Sequence, residues 1–267
     1  MELPPYLYKY RRFDSENHAL EGLRNSTLYF SANNEMNDPF ECRALVTSGH
    51  SSNVKSHLDS LERQDDGCDS SGEVGSMVKA EAKYLNWSQA VTKAEAKAQA
   101  KLDSIVSSSV FCCFSSVGNN ILMFSHYSDN HTGFCIGFDT KNSPFTKARR
   151  VMYKDCVPII NMSKLMRGTE DECKEMIGAI FETKAKMWSY EEEWRCITLG
   201  EPQKGEPKKL RRFTQKAIVE VILGCRIHPD NEAKILEILS QKKHKVPVYR
   251  AKQKQGQYAL ELEPVNY

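Results

Sequence analysis

Along the chain the spacing of apolar positions changes several times, and each change predicts an element. Residues 6–10 (YLYKY) read as a short strand, after which Asp14 or Ser15 can cap a helix running to about residue 23. TLYFS at 27–31 reads as a second strand, and Asn37-Asp38-Pro39-Phe40 is turn chemistry. VFCCF at 110–114 and the run 132–138 have the length and apolar density of buried strands, around a short helix at 120–127. A further strand is expected at 149–153. Within 170–187, Cys173, Met176, Ile177, Ile180 and Phe181 fall at i, i+3, i+4, i+7 and i+8, one apolar stripe on a helix. Strands follow at 192–199 and 217–223. Pro229 opens a helix to about 241 with Ile235, Ile238 and Leu239 inward, and strands at 246–251 and 257–263 close the chain.

The periodicity is lost between 47 and 75, where Ser, Gly, Asp and Asn dominate and DDGCDSSGEVGS is the least patterned piece. Residues 77–107 are rich in Ala and Lys, hold no Pro or Gly, and are predicted helical. This block, at about 47–108, reads as a polar and helical insertion in a single catalytic domain covering 1–267. Strands and helices interleave without a regular βαβ rhythm, which predicts an α+β fold with a mixed or antiparallel sheet. No internal repeat is present.

Composition narrows the picture only a little. The 267 residues are 40% hydrophobic and 27% charged, values that let a chain bury a core without staples. A net charge of +2 supplies no global field toward nucleic acid or membrane, although Lys208-Lys209 and Arg211-Arg212 form a local basic run. The 9 cysteines form no Cys-x-x-Cys pair, so reduced thiols in a cytoplasm are expected rather than a disulfide framework or a zinc ribbon. MELPPYLYKYRR has no apolar h-region, and no apolar run approaches the roughly 20 residues of a membrane span, so neither a signal peptide nor a membrane partner is expected.

Candidate chemistry concentrates in MWSYEEEWRCITL, residues 187–199. If 190–199 is extended, Glu191, Glu193 and Arg195 share one face and Tyr190, Glu192, Trp194 and Cys196 the other. Two carboxylates on one face repel unless a cation lies between them, and enclosure would raise the pKa of one. The alternative is a solvated strand start with Glu193 paired to Arg195. His126 and His131 are five residues apart, awkward for two ligands on one helical face, and no metal site is expected. His126-Tyr127, at a helix end, can line a pocket. Asn37-Asp38 reads as an Asx turn. Gly-rich phosphate loops and Gly-x-Ser-x-Gly are absent, and Cys112-Cys113 reads as core filler.

The series LYKYR, LYFSANNEMNDPFEC, MFSHYSDNHTGFCIGF, WSYEEEWR and VILG resembles, in that order from Leu7 to about Gly224, a prokaryotic family known as domain of unknown function 2971. More weakly, the chain is similar to the catalytic fold of ADP-ribosyltransferases. Leu7-Tyr8-Lys9 would form its first motif, Leu28-Tyr29-Phe30-Ser31 its second, and Glu191-x-Glu193 its third. Lys9 stands where His or Arg is usual, with Arg11 on the same strand face.

That resemblance implies NAD as substrate and a macromolecular acceptor, protein or nucleic acid, in a toxin or phage-defence setting with an antitoxin partner. Glu193 would hold the ribose 2′-hydroxyl and steady an oxocarbenium ion, and Glu191 would activate the acceptor. Tyr29 would stack on nicotinamide. Lys9 or Arg11 would hold ribose hydroxyls or pyrophosphate, with Ser31, His126 and Tyr127 completing the NAD site. The alternatives are a hydrolase or nuclease built from Asp38, His126, Glu191 and Glu193, and a non-catalytic binding module.

Overall fold

The computed structural model describes residues 2–16, 18–48, 73–199 and 209–267. The polar run through residue 72, most of the loop EPQKGEPKK, and Lys208 lie outside the described residues. In chain order, β1 (Tyr6–Arg11) leads to α1 (His18–Asn25), β2 (Thr27–Tyr29), β3 (Ser31–Ala32) and β4 (Leu45–Thr47). The long α2 (Glu73–Ser108) precedes β5 (Val110–Ser115), α3 (Ile121–Tyr127) and β6 (Phe134–Asp139). Next come β7 (Arg149–Arg150), β8 (Met152–Lys154), β9 (Ile159–Asn161), α4 (Met162–Arg167), α5 (Glu170–Phe181), β10 (Thr183–Ala185) and β11 (Glu193–Thr198). The last elements are β12 (Leu210–Arg212), β13 (Ile218–Leu223), α6 (Pro229–Ser240), β14 (Val248–Gln253) and β15 (Leu260–Val265).

The chain divides into two compact units, one of residues 1–41, 107–155 and 181–267, the other of 42–106 and 156–180. The first is built on a nine-stranded sheet in the order β15-β14-β13-β6-β1-β5-β11-β7, with β3 also paired to β5. Neighbours are antiparallel except β13 and β14, which run parallel and are joined through α6. This is a mixed α+β architecture.

The two faces of the sheet carry different chemistry, and the strand parity decides which. On one face Leu7, Cys112, Phe114, Phe134, Ile136, Phe138, Trp194, Cys196, Val221 and Leu223 form the main core, with Leu20 and Leu23 of α1 and Ile235, Ile238 and Leu239 of α6 packed into it. Burying a side chain such as Leu23 contributes about 1.5–3 kcal/mol. On the other face Tyr10, Cys135, Ile222 and Ala251 meet Met123 and Phe124 of α3. That helix is short but well started. The Asn120 side chain accepts from Leu122 N at 2.9 Å and Met123 N at 3.2 Å, filling two of the donors a helix start leaves open.

The second unit pairs β4 with β9 in parallel, and Val46 N donates to Gln99 Oε1 of α2 at 3.0 Å. Ala98, Leu102 and Val106 are its buried stripe, spaced at i, i+4 and i+8. This unit takes in the block read as an insertion together with 156–180. In α5, Ile177, Ile180 and Phe181 are buried as the stripe predicts; the Cys173 side chain lies outside the described residues. The expected helix over 170–187 stops at Phe181, because residues 183–185 instead pair in parallel with β8. No described helix is long and apolar enough to cross a membrane.

Candidate functional site

Strands β5 and β11 lie side by side, with Glu193 opposite Ser115, Arg195 opposite Cys113 and Ile197 opposite Phe111. Opposed residues share a face, so these six project away from the main core. The strand begins one residue later than the sequence suggests. Residues 186–191 form a 3-10 turn, and Glu192 closes it in the left-handed region at φ 44°. A non-glycine residue held there stores on the order of 1–3 kcal/mol of strain. The kink turns Glu191 and Glu193 to the same side and leaves Glu192 exposed, where its Oε2 accepts from Ser116 Oγ at 2.9 Å.

Between the two buried carboxylates stands the cation that their spacing demands. Lys184 Nζ lies 2.5 Å from Glu191 Oε2, 3.0 Å from Glu193 Oε2 and 2.9 Å from Glu41 Oε1. Arg195 clasps Glu193 with Nε at 2.6 Å and Nη2 at 3.0 Å. The same Nη2 reaches Glu41 Oε2 at 2.8 Å, and Nη1 donates to Phe181 O at 2.8 Å. Its guanidinium lies over the Phe111 ring at 5.1 Å. None of these five charged residues exceeds 7% exposure.

Among the described residues, three carboxylates therefore face two cations, and one anion is in surplus. Its effect falls unequally. Burial would raise the Glu193 carboxyl, but Arg195 and Lys184 outweigh it and hold Glu193 well below the usual carboxylate range. Glu191 lacks the arginine. Burial and the nearby Glu193 charge outweigh Lys184 there and push it up to about 6. Burial would lower Lys184, yet the three carboxylates hold its ammonium above the ordinary lysine range.

An aromatic rim lies beside Glu191. Tyr127 donates its hydroxyl to Glu191 Oε1 at 2.5 Å, and burial and the Glu191 charge push that phenol up. Tyr190 lies 2.9 Å from His126 Nδ1, its ring 5.9 Å from the imidazole and 6.1 Å from Trp188. The Trp188 ring sits 5.0 Å from the Lys184 ammonium. Asn120 anchors the rim by donating to Tyr190 O at 2.8 Å. Tyr127, Trp188 and Tyr190 are half-buried and His126 is exposed. Beneath, Tyr153 Oη accepts from Glu193 N at 2.7 Å.

Of the residues singled out from the sequence, Glu191, Glu193 and Tyr127 meet in one cluster, and His126 joins it through Tyr190. Lys9 and Arg11 do not. They share the parity of Leu7 and so project from the opposite face of the sheet; Lys9 Nζ donates to Cys113 O at 3.0 Å and lies over Phe114 at 5.3 Å. Tyr29 lies exposed on the β2–β12 ribbon, hydrogen-bonded to Glu35 at 3.0 Å and with the Lys209 ammonium 5.6 Å from its ring, away from the β5–β11 carboxylates. Ser31 stands opposite Phe111, at the far end of β5 from Ser115. Asp38 is an Asx turn, its Oδ1 accepting from Phe40 N at 2.9 Å, and it turns the chain toward Glu41.

Sequence reasoning missed Glu41, Lys184 and Tyr153, and read Cys113 as core. Only Cys112 faces the core. Cys113 is half-buried beside Glu193, with its thiol pushed well up by burial and by that charge. Parity along VFCCF separates the two cysteines. No comparable signal marks Lys184, which falls inside a predicted helix. Among the described residues, no group of three or more His, Cys, Asp or Glu is placed to hold a metal ion.

No curated protein and no solved structure matches the chain. Residues 123–196 match the family model described as "Protein of unknown function (DUF2971)". The matched segment contains Tyr127, Lys184, Glu191, Glu193 and Arg195, so the similarity spans the part that builds most of the carboxylate cluster.

Proposed function

We propose that this chain is an enzyme that transfers ADP-ribose from NAD to a macromolecular acceptor, with Glu191 as its reacting carboxylate. The observation that carries the reading is the surplus anion. A buried cluster of three carboxylates and two cations attracts one further positive charge, and Glu191, beside a rim of half-buried rings, is where that charge is least compensated. In NAD the nicotinamide is a cationic leaving group, so cleavage of its bond to ribose develops positive charge on the sugar rather than on the enzyme. The electron pair leaves with nicotinamide, the acceptor's nucleophile bonds to the anomeric carbon, and its proton passes to Glu191. A carboxyl raised to about 6 is mostly in its basic form at neutral pH, yet basic enough to take up a proton there.

The other residues take supporting roles that differ from those first expected. Glu193 is saturated by Arg195 and Lys184, and it positions Lys184 rather than meeting the sugar. Tyr190 and Trp188, not Tyr29, offer rings for nicotinamide to stack on. Likeness to the ADP-ribosyltransferase fold is part of this proposal, supported by the Glu-x-Glu placed at the head of a strand.

The test is incubation of the purified chain with adenylate-labelled NAD and a cell extract. Label should pass to an acceptor with release of nicotinamide, and Glu191→Gln should lower the rate by about 10²–10³. Absence of both transfer and nicotinamide release from the folded wild-type chain would overturn the reading. The His126–Tyr190 hydrogen bond favours a second reading, a hydrolase using Glu191 with His126. Cleavage of an acceptor without NAD, lost in His126→Ala, would decide for it.

A further inference from the structure

Charge is unevenly distributed over the first unit, on elements other than those of the carboxylate cluster. Residues 24–29 (RNSTLY), 209–216 (KLRRFTQK) and 241–245 (QKKHK) are far apart in sequence. The fold brings them together. β12 pairs with β2, and Phe213 N donates to Ser26 O at 2.9 Å. Lys242 Nζ donates to Leu23 O at 2.6 Å, Arg24 O at 2.9 Å and Ser26 Oγ at 3.3 Å, while His244 Nε2 lies 3.3 Å from Ile218 O.

These segments hold eight of the 37 lysines and arginines and none of the 35 carboxylates. Two acids reach in from outside, Glu21 to Arg24 at 3.7 Å and Glu35 to Lys209 at 2.6 Å. Two of the cations have structural duties: Lys242 satisfies carbonyls at the end of α1, and Arg211 lies over Phe30 at 5.7 Å. Arg24, Arg212, Lys216, Lys243 and Lys245 are exposed. Among them the Tyr29 ring is 42% exposed, with Lys209 5.6 Å from its centre.

We propose that this surface binds single-stranded nucleic acid. Exposed cations within a Debye length, about 10 Å, act together on a chain of phosphates. An exposed ring beside them gives an unpaired base a stacking platform, which neither an acidic peptide nor a lipid headgroup requires. Leu210, opposite Tyr29 on the ribbon, is the one large apolar neighbour in these segments that is also well exposed, and it is too little surface to enter a bilayer. The inference goes beyond the transferase reading and needs no catalysis.

Fluorescence anisotropy with labelled single-stranded RNA and DNA of about 20 nucleotides, in the absence of NAD, tests it. Saturable binding is expected at low salt. The logarithm of affinity should fall with that of salt at a slope of about −2 to −4, from about 0.7 per phosphate neutralised. Combined Arg212→Glu, Lys243→Glu and Lys245→Glu should weaken binding at least about tenfold and flatten that slope, and Tyr29→Ala should weaken it about fivefold or more. A wild-type slope shallower than about −1, unchanged affinity in the folded triple variant, or tighter binding to vesicles of anionic lipid would overturn the proposal. Because the assay contains no NAD, failure of ADP-ribose transfer leaves its outcome untouched, and the reverse holds equally.

Discussion

Glu191 and Glu193, two residues apart, are linked to stability in opposite directions. Glu191 is raised from 4.5 to about 6, so its contribution is complete below pH 4.5 and is lost as pH rises through 6, by about 2 kcal/mol. Glu193 is depressed, so its contribution is present above its unfolded value and is lost as pH falls below it. Between them they place maximal stability from this cluster near pH 4.5–5, on the acid side of neutrality. Urea unfolding across pH 2 to 7 reads both. Glu191→Gln should remove the loss between pH 4.5 and 6. Glu193→Gln should destabilise by about 3–5 kcal/mol at pH 7, since it removes the carboxylate that clasps the buried Arg195 guanidinium through two of its nitrogens. Equal losses in the two variants would contradict the unequal environments.

At the scale of the element, the sheet depends on backbone approaches that admit no side chain. A Cβ on Gly133, just before β6, would lie 2.1 Å from Arg11 O at the end of β1, and one on Gly224, just after β13, 2.2 Å from His131 O. Neither obstacle is a flexible side-chain tip, so strands must shift to relieve it. Gly133→Ala is expected to cost several kcal/mol, on the order of 3 or more, or to prevent folding, whereas Gly256→Ala meets nothing within 4 Å and has only its φ of 72° to offset. Thermal unfolding of the two variants checks the contrast. Most long elements were legible from pattern: α6 and the Ile177–Ile180–Phe181 stripe fall where one-sided burial puts a helical period, and β13, buried on both faces, shows as a continuous apolar run. The short pieces were not. β10 and β8 are three residues each, too brief for a period to register, and exist because they pair with one another.

For the molecule as a whole, burial decides which thiols are chemically available. Cys156 is exposed, Cys113 and Cys225 are half-buried with thiols pushed up by burial, and Cys42, Cys112, Cys135 and Cys196 are buried. Among the described cysteines, alkylation of the native chain followed by peptide mass mapping should label Cys156 first, Cys225 and Cys113 more slowly, and the four buried thiols only after unfolding. Early labelling of Cys135 or Cys112 would contradict the sheet packing. The same scale governs the basic surface, whose three segments belong to no common motif and share a face only because β12 returns to β2 and Lys242 caps α1.

What sequence determined by itself was local: the α+β class, the long helices and strands, and a carboxylate pair that had to have a cation near it. Its spacing rules carried that far because side-chain direction within one element follows from backbone period alone. Only tertiary structure decided which cation that was. Lys184 and Glu41 enter the cluster from separate segments, and Lys9 and Arg11 leave it because β1 presents its other parity to that face. Pairing register is set between distant residues, and the left-handed turn at Glu192 is held by one such contact, Ser116 N donating to Glu192 O at 3.1 Å; a period read along one segment contains no information about either.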